Sequence, residues 1–148
     1  MSGARALPVE VSGDVVLVQR AAVAVAEATG FDRRSSHEIA LVATELATNI
    51  VRHAGRGTLI FEPFEPGALR ICARDRGPGI ADFGRALEDG CTARGPVDPF
   101  ARAAAARLHS GLGAVRRLSD SVEYWTDGTV NEVRALRRRP PPAPRRSR

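Results

Sequence analysis

The chain has 148 residues, enough for one compact domain with its own core, and a formal charge of +5. Six of its 22 basic residues (Arg137, Arg138, Arg139, Arg145, Arg146 and Arg148) fall in the last twelve positions, leaving 16 basic against 17 acidic residues, so the body of the chain lacks a nucleic-acid binder's basic excess. Every basic residue is arginine, which excludes a lysine phosphate clamp or Schiff base and leaves phosphate to Arg, backbone N–H groups or metal.

Leu7 to Val11 alternates apolar and polar residues and reads as a first strand, ended by Ser12-Gly13. Asp14 then caps a helix with Leu17, Ala21, Ala24, Val25 and Ala28 as its apolar stripe and Gly30 as its stop. Ser35-Ser36-His37-Glu38 fits a capping box opening a second helix that runs to about His53, before Gly55 and Gly57. Its buried side is Ile39, Ala43, Leu46, Ala47 and Ile50, while Glu38, Glu45, Asn49 and Arg52 gather on another side with His53 at the margin.

Thr58 to Phe64 and Ala68 to Asp75 read as strands joined at Glu65-Pro66-Gly67, with Leu69, Ile71 and Ala73 facing one way. Ala81 to Glu88 suits a short helix. Residues 91–110 read as a mobile lid with a helix-prone piece from Phe100 to Leu108, and Gly113 to Leu118 as a further helix. Val122 to Thr126 and Thr129 to Leu136 then pair across Asp127-Gly128. The order predicts an α/β (α+β) two-layer sandwich, with helices on one face of a mixed, mostly antiparallel sheet, over residues 1–136. The Arg/Pro-rich stretch 137–148 cannot build a core and reads as a disordered tail.

Cys72 and Cys91 have no metal-ligand spacing and read as reduced thiols. With no leader-like or membrane-length apolar segment, the expected location is the cytoplasm.

Three motifs carry chemistry. Glu45 and Asn49 stand one helical turn apart, so a carboxylate and an amide oxygen can share a face that holds magnesium and a reacting group. Asp75, at a strand end before Gly77 and Gly79, can accept a hydrogen bond from a base edge while bare backbone comes close to the ring. Ser110-Gly111-Leu112-Gly113 runs a glycine turn into a helix, leaving N–H groups where phosphate can sit.

The stretches ELATNIVRHAG, RDRGPGIAD, EDGCT and SGLGAVRRLSD, in this order, resemble the Bergerat-fold or GHKL (histidine kinase-like) ATPases. Within that family the likeness is to the small serine/threonine kinases of bacterial partner-switching systems, RsbT type first and RsbW anti-sigma type next, over roughly Leu7 to Leu136. The resemblance implies a Bergerat-type ATP-binding fold with Asp75 at adenine beside Gly77 and Gly79, Asn49 as the Mg2+ ligand, and Glu45 as the catalytic base. Arg52 and His53 fall at phosphate-contact positions, Ser110, Gly111, Leu112 and Gly113 at the lid end over the triphosphate, and Thr129 of Gly128-Thr129 near the adenine.

By resemblance, the chain is an ATP- and magnesium-dependent protein serine/threonine kinase that phosphorylates a STAS-domain antagonist protein. The likeness departs at the lid, where His109-Ser110-Gly111 replaces Gly-x-Gly and Arg94 to Leu108 looks inserted. An alternative therefore stays open: a weakly catalytic or non-catalytic ATP-binding switch docking on a sigma factor or a PP2C-type phosphatase. A homodimer is also left open, and nucleic-acid binding through the tail is a lesser reading.

Overall fold

The computed structural model describes residues 3–88 and 111–141, and the backbone of 91–92 and 95–96 between them. Chain order is β1 (Arg5–Val9), α1 (Ser12–Thr29), α2 (Arg33–Asn49), a π-helical turn (Ile50–Ala54), β2 (Gly57–Pro63), β3 (Ala68–Asp75) and α3 (Phe83–Ala86). The two-residue strands β4 (Cys91–Thr92) and β5 (Gly95–Pro96) follow, then α4 (Leu112–Arg117), β6 (Ser121–Thr126) and β7 (Asn131–Arg138). The main sheet runs β1-β2-β3-β7-β6 with all four pairings antiparallel.

One face of that sheet is apolar. Leu59 and Phe61 of β2, Leu69, Ile71 and Ala73 of β3, and Val133 and Ala135 of β7 alternate onto it and form one core with α1, α2 and α4. The opposite face carries Arg74 and Trp125 in solvent and Arg134 half-buried, as a two-layer sandwich allows of an antiparallel sheet covered on one side. There Glu132 is buried, which alone would raise its pKa, but hydrogen bonds and charge from Arg134 and Arg74 outweigh the burial and hold it below its ordinary value.

Helix α2 buries Ile39, Ala43, Leu46 and Ala47 as its sequence period requires. Its cap lies three residues earlier than Ser35, because the Asp32 carboxylate accepts from Ser35 N at 2.7 Å while Ser35 and Ser36 are themselves buried. In α1 the buried stripe is Val18, Ala21, Ala22 and Ala26, whereas Leu17, Ala24 and Ala28 are exposed, a correction to the expected phase. Alanine and valine on nearly every side leave the period without contrast, and packing on α2 and the sheet decides it. Asp14 caps from inside the first turn, accepting from Glu10 N at 2.9 Å and Val11 N at 3.1 Å.

The strand β7 extends to Arg138, so Arg137 and Arg138 belong to the sheet and not to a disordered tail. Arg139 N also donates to Gly67 O at 2.7 Å. Arg137 faces the helices, where Nη2 donates to Glu38 at 2.6 Å and Nη1 to Leu118 O at 2.7 Å, so its charge is paired and both terminal nitrogens have an acceptor. The rest of the expected tail, from residue 142, and most of the expected lid, including Phe100 to Leu108, lie outside the described residues.

The hydrogen bond from Arg137 and then its charge hold the Glu38 carboxyl below its ordinary value near 4.5 against the opposing effect of burial. A depressed carboxylate contributes stability that is present above its unfolded pKa and lost as pH falls through the folded one. Arg137→Met is therefore expected to destabilise by about 1 kcal/mol at neutral pH. Urea unfolding should show the deficit in full above about pH 5 and shrinking in acid.

Candidate functional site

The site is built where β3 ends. Asp75 pairs in register with Gly57 on one side and with Asn131 on the other, so the acid stands at the centre of one end of the sheet. The C-terminal end of α2 closes on the same place. A Cβ on Gly77 would meet Ala54 at 2.8 Å, and one on Gly57 would meet Ile50 at 2.9 Å and the Asp75 Cβ at 3.1 Å. Close backbone approach therefore requires glycine at Gly77, and it seats the loop after Asp75 on the π-helical turn that follows Asn49.

Asp75 is half-buried, and its two oxygens are treated differently. Oδ1 accepts from Gly77 N at 2.9 Å and from Asn131 Nδ2 at 3.1 Å. Among the described residues nothing donates to Oδ2. The amide of Asn131 also donates to Gly77 O at 2.9 Å, and its Oδ1 accepts from Thr126 Oγ1 at 2.7 Å and Tyr124 Oη at 3.3 Å. Tyr124 in turn accepts from Ile80 N at 3.0 Å and stacks on Phe83 with ring centroids 5.3 Å apart, tying the loop after Asp75 to β6.

Gly79 has φ 79°, and a Cβ there would lie 2.8 Å from Tyr124 Oη. Gly79→Ala is expected to destabilise by about 1–2 kcal/mol from the left-handed backbone alone. Its thermal midpoint should fall, and the displaced Tyr124 should show in near-ultraviolet circular dichroism.

Glu45 is buried and Asn49 half-buried, one turn apart on α2. Arg52 and His53 are exposed on the π-helical turn that follows Asn49. Gly111 precedes α4, and Leu112 and Gly113 are buried in its first turn against α2. Ser110 lies outside the described residues.

Thr129 sits on the exposed β6–β7 turn, away from Asp75's hydrogen bonds. Asp127 Oδ1 accepts from Thr129 N at 2.8 Å and Val130 N at 2.7 Å, so both are spent in the turn and β7 begins at Asn131. These bonds, Val130's first, also hold the Asp127 carboxyl below its ordinary value. The partner of Asp75 is thus Asn131, which the sequence reading did not single out.

Among the described residues no three His, Cys, Asp or Glu side chains cluster to cage a metal. The donors present, one amide oxygen and one buried carboxylate a turn apart, suit a magnesium ion that takes most of its ligands from phosphate and water. Cys72 is buried on β3, and burial followed by the charge of Glu132 pushes its thiol up to about 12, which leaves it unreactive at neutral pH. No helix among the described residues is long and apolar enough to cross a membrane.

A histidine kinase-like ATPase domain model matches residues 7–137. The chain belongs to this family. It is 30% identical to the serine/threonine-protein kinase RsbT of Bacillus subtilis over 128 residues, 84% of this chain and 88% of RsbT. Solved structures share the histidine kinase-like fold at lower identity. A structure of the RsbU and RsbW domains of Rv1364c from Mycobacterium tuberculosis superposes with a TM-score of 0.59 at 14% identity, over 92% of this chain and 33% of that one. The chain thus spans about a third of that larger protein. A chain of the SiaB–SiaC complex from Pseudomonas aeruginosa superposes with a TM-score of 0.58 at 17% identity, over 89% of this chain and 88% of that one.

Proposed function

We propose that this histidine kinase-like ATPase is a cytoplasmic, Mg-ATP-dependent protein serine/threonine kinase of a partner-switching system, and that its substrate is a hydroxyl of a small STAS-domain antagonist protein. The observation that carries the reading is Asp75, with one oxygen tied down and the other open, set against the end of the helix that bears Glu45 and Asn49. The 30% identity to RsbT over most of both chains supports the kinase class.

In this reading Asp75 Oδ2 accepts from the exocyclic amine of adenine, while Gly77 and Gly79 let the loop backbone approach the ring. Asn49 would hold magnesium through Oδ1, and the ion when bound neutralises charge on the β- and γ-phosphates. Glu45 takes the proton of the incoming Ser or Thr hydroxyl as its oxygen bonds to the γ-phosphorus. The bond from that phosphorus to the β–γ bridging oxygen breaks, and ADP leaves with the electron pair. Burial of Glu45 keeps competing water off the base. Backbone N–H groups from Ser110 to Gly113 are proposed to face the phosphates, with Arg52 and His53 at the rim.

Incubating the purified chain with magnesium, γ-labelled ATP and a STAS-domain protein from a partner-switching operon tests this reading. Label on a Ser or Thr of that protein, absent with its Ser/Thr→Ala variant, is the expected result. ATP binding with no transfer would instead leave a nucleotide-dependent docking module for a sigma factor or a PP2C-type phosphatase.

A further inference from the structure

The polar chain behind Asp75 does more than fill space. Each hydroxyl in it accepts one backbone N–H and keeps its own proton for Asn131. Tyr124 Oη receives the N–H of Ile80, which leaves its own proton for Asn131 Oδ1 in a long contact at 3.3 Å. Thr126 Oγ1 receives the N–H of Gly128 at 3.1 Å, so its proton points to the same oxygen at 2.7 Å. Two donors on one side and the Gly77 carbonyl on the other leave the Asn131 amide a single orientation, with Nδ2 toward Asp75. A flipped amide would set its oxygen against Gly77 O and against Asp75 Oδ1.

From this geometry we infer that Tyr124, Thr126 and Asn131 form a positioning relay that holds Asp75 with Oδ1 saturated and Oδ2 presented as a pure acceptor, making the site specific for a 6-aminopurine over a 6-oxopurine. The inference rests on the proposed role of Asp75 at adenine and adds the residues that set its selectivity. A 6-amino group donates to Oδ2. A 6-oxo group at the same place puts oxygen against oxygen, and a carboxylate free to rotate or to exchange its donors would relax that rejection. Asn131 and Tyr124 do not themselves touch the base in this account.

The test is calorimetric titration with magnesium and either ATP or inosine triphosphate, which differ at the purine 6-position. The intact chain should prefer ATP. Asn131→Leu, near in size but unable to donate or accept, and Tyr124→Phe, which keeps the ring on Phe83 and removes only the hydroxyl, should each reduce the ATP-to-inosine preference by roughly tenfold. Equal weakening of both nucleotides with the preference intact would mean that these residues only support the fold, and would overturn the relay. Should Asn131→Leu fail to fold, Tyr124→Phe carries the test on its own. Asp75→Ala separates the two levels of the argument. If it keeps the preference for ATP, the base contact is misassigned. If it loses the preference while Asn131→Leu and Tyr124→Phe keep it, only the relay fails.

Discussion

Glu45→Ala is expected to lower phosphoryl transfer by roughly 10²–10⁴-fold, the range for loss of a positioned general base, while ATP affinity stays within about twofold. The split follows from placement. Glu45 is buried on α2, one turn before Asn49, whereas Asp75, the proposed adenine contact, stands at the end of β3. In the proposed mechanism base binding and chemistry thus fall on different elements, and a variant in one should leave the other. Glu45→Gln, which keeps the volume and removes the basicity, should match Glu45→Ala in transfer while retaining more of the stability that a buried side chain contributes. Loss of ATP binding in a folded Glu45→Gln protein would remove the catalytic role from this residue.

Asn49→Ala is expected to reduce transfer by about 10³-fold or more and to make ATP affinity insensitive to magnesium. With no His, Cys, Asp or Glu trio to cage a metal among the described residues, the proposed mechanism makes the Asn49 amide oxygen the protein's direct ligand beside phosphate oxygens, and removing it should leave little to fix the ion. Titrating ATP with and without magnesium measures this directly. The intact chain should bind more tightly with the ion, and the variant should bind equally in both conditions. Asn49→Asp should restore part of the magnesium dependence, since a carboxylate is also an oxygen ligand.

Where the chain's local pattern and its packing agree, the fold was readable in advance. Ile39, Ala43, Leu46 and Ala47 fall on one side of a helix by period alone, and α2 buries all four, along with Ala40, Val42 and Glu45 beside them. Leu69, Ile71 and Ala73 likewise alternate onto the covered face of β3. In α1 the pattern had no contrast, and packing selected Val18, Ala22 and Ala26 in place of Leu17, Ala24 and Ala28. The run Arg137-Arg138-Arg139 reads as tail because three adjacent charges resemble no strand, yet Arg137 enters the covered side once Glu38 and the Leu118 carbonyl supply partners.

Asn131 was hidden for a different reason. Its contact with Asp75 spans 56 residues and depends on the β3–β7 register, which no local spacing encodes. A signal was nonetheless there. Asn131 shares parity with Val133 and Ala135, so it had to lie on the covered face, where an amide must find partners. The turn that displaces Thr129 follows from Asp127 accepting two backbone N–H groups, which makes the loop longer than Asp127-Gly128 alone suggests.

The central claim is that Asp75 receives the base of a magnesium-bound ATP. Calorimetric titration of ATP and ADP into the purified chain, with and without magnesium, and into Asp75→Ala, tests it most directly. Magnesium-strengthened ATP binding in the intact chain that weakens by roughly tenfold or more in a folded Asp75→Ala protein is the predicted result. No nucleotide binding to the folded chain, or equal binding by the intact chain and the variant, would contradict it.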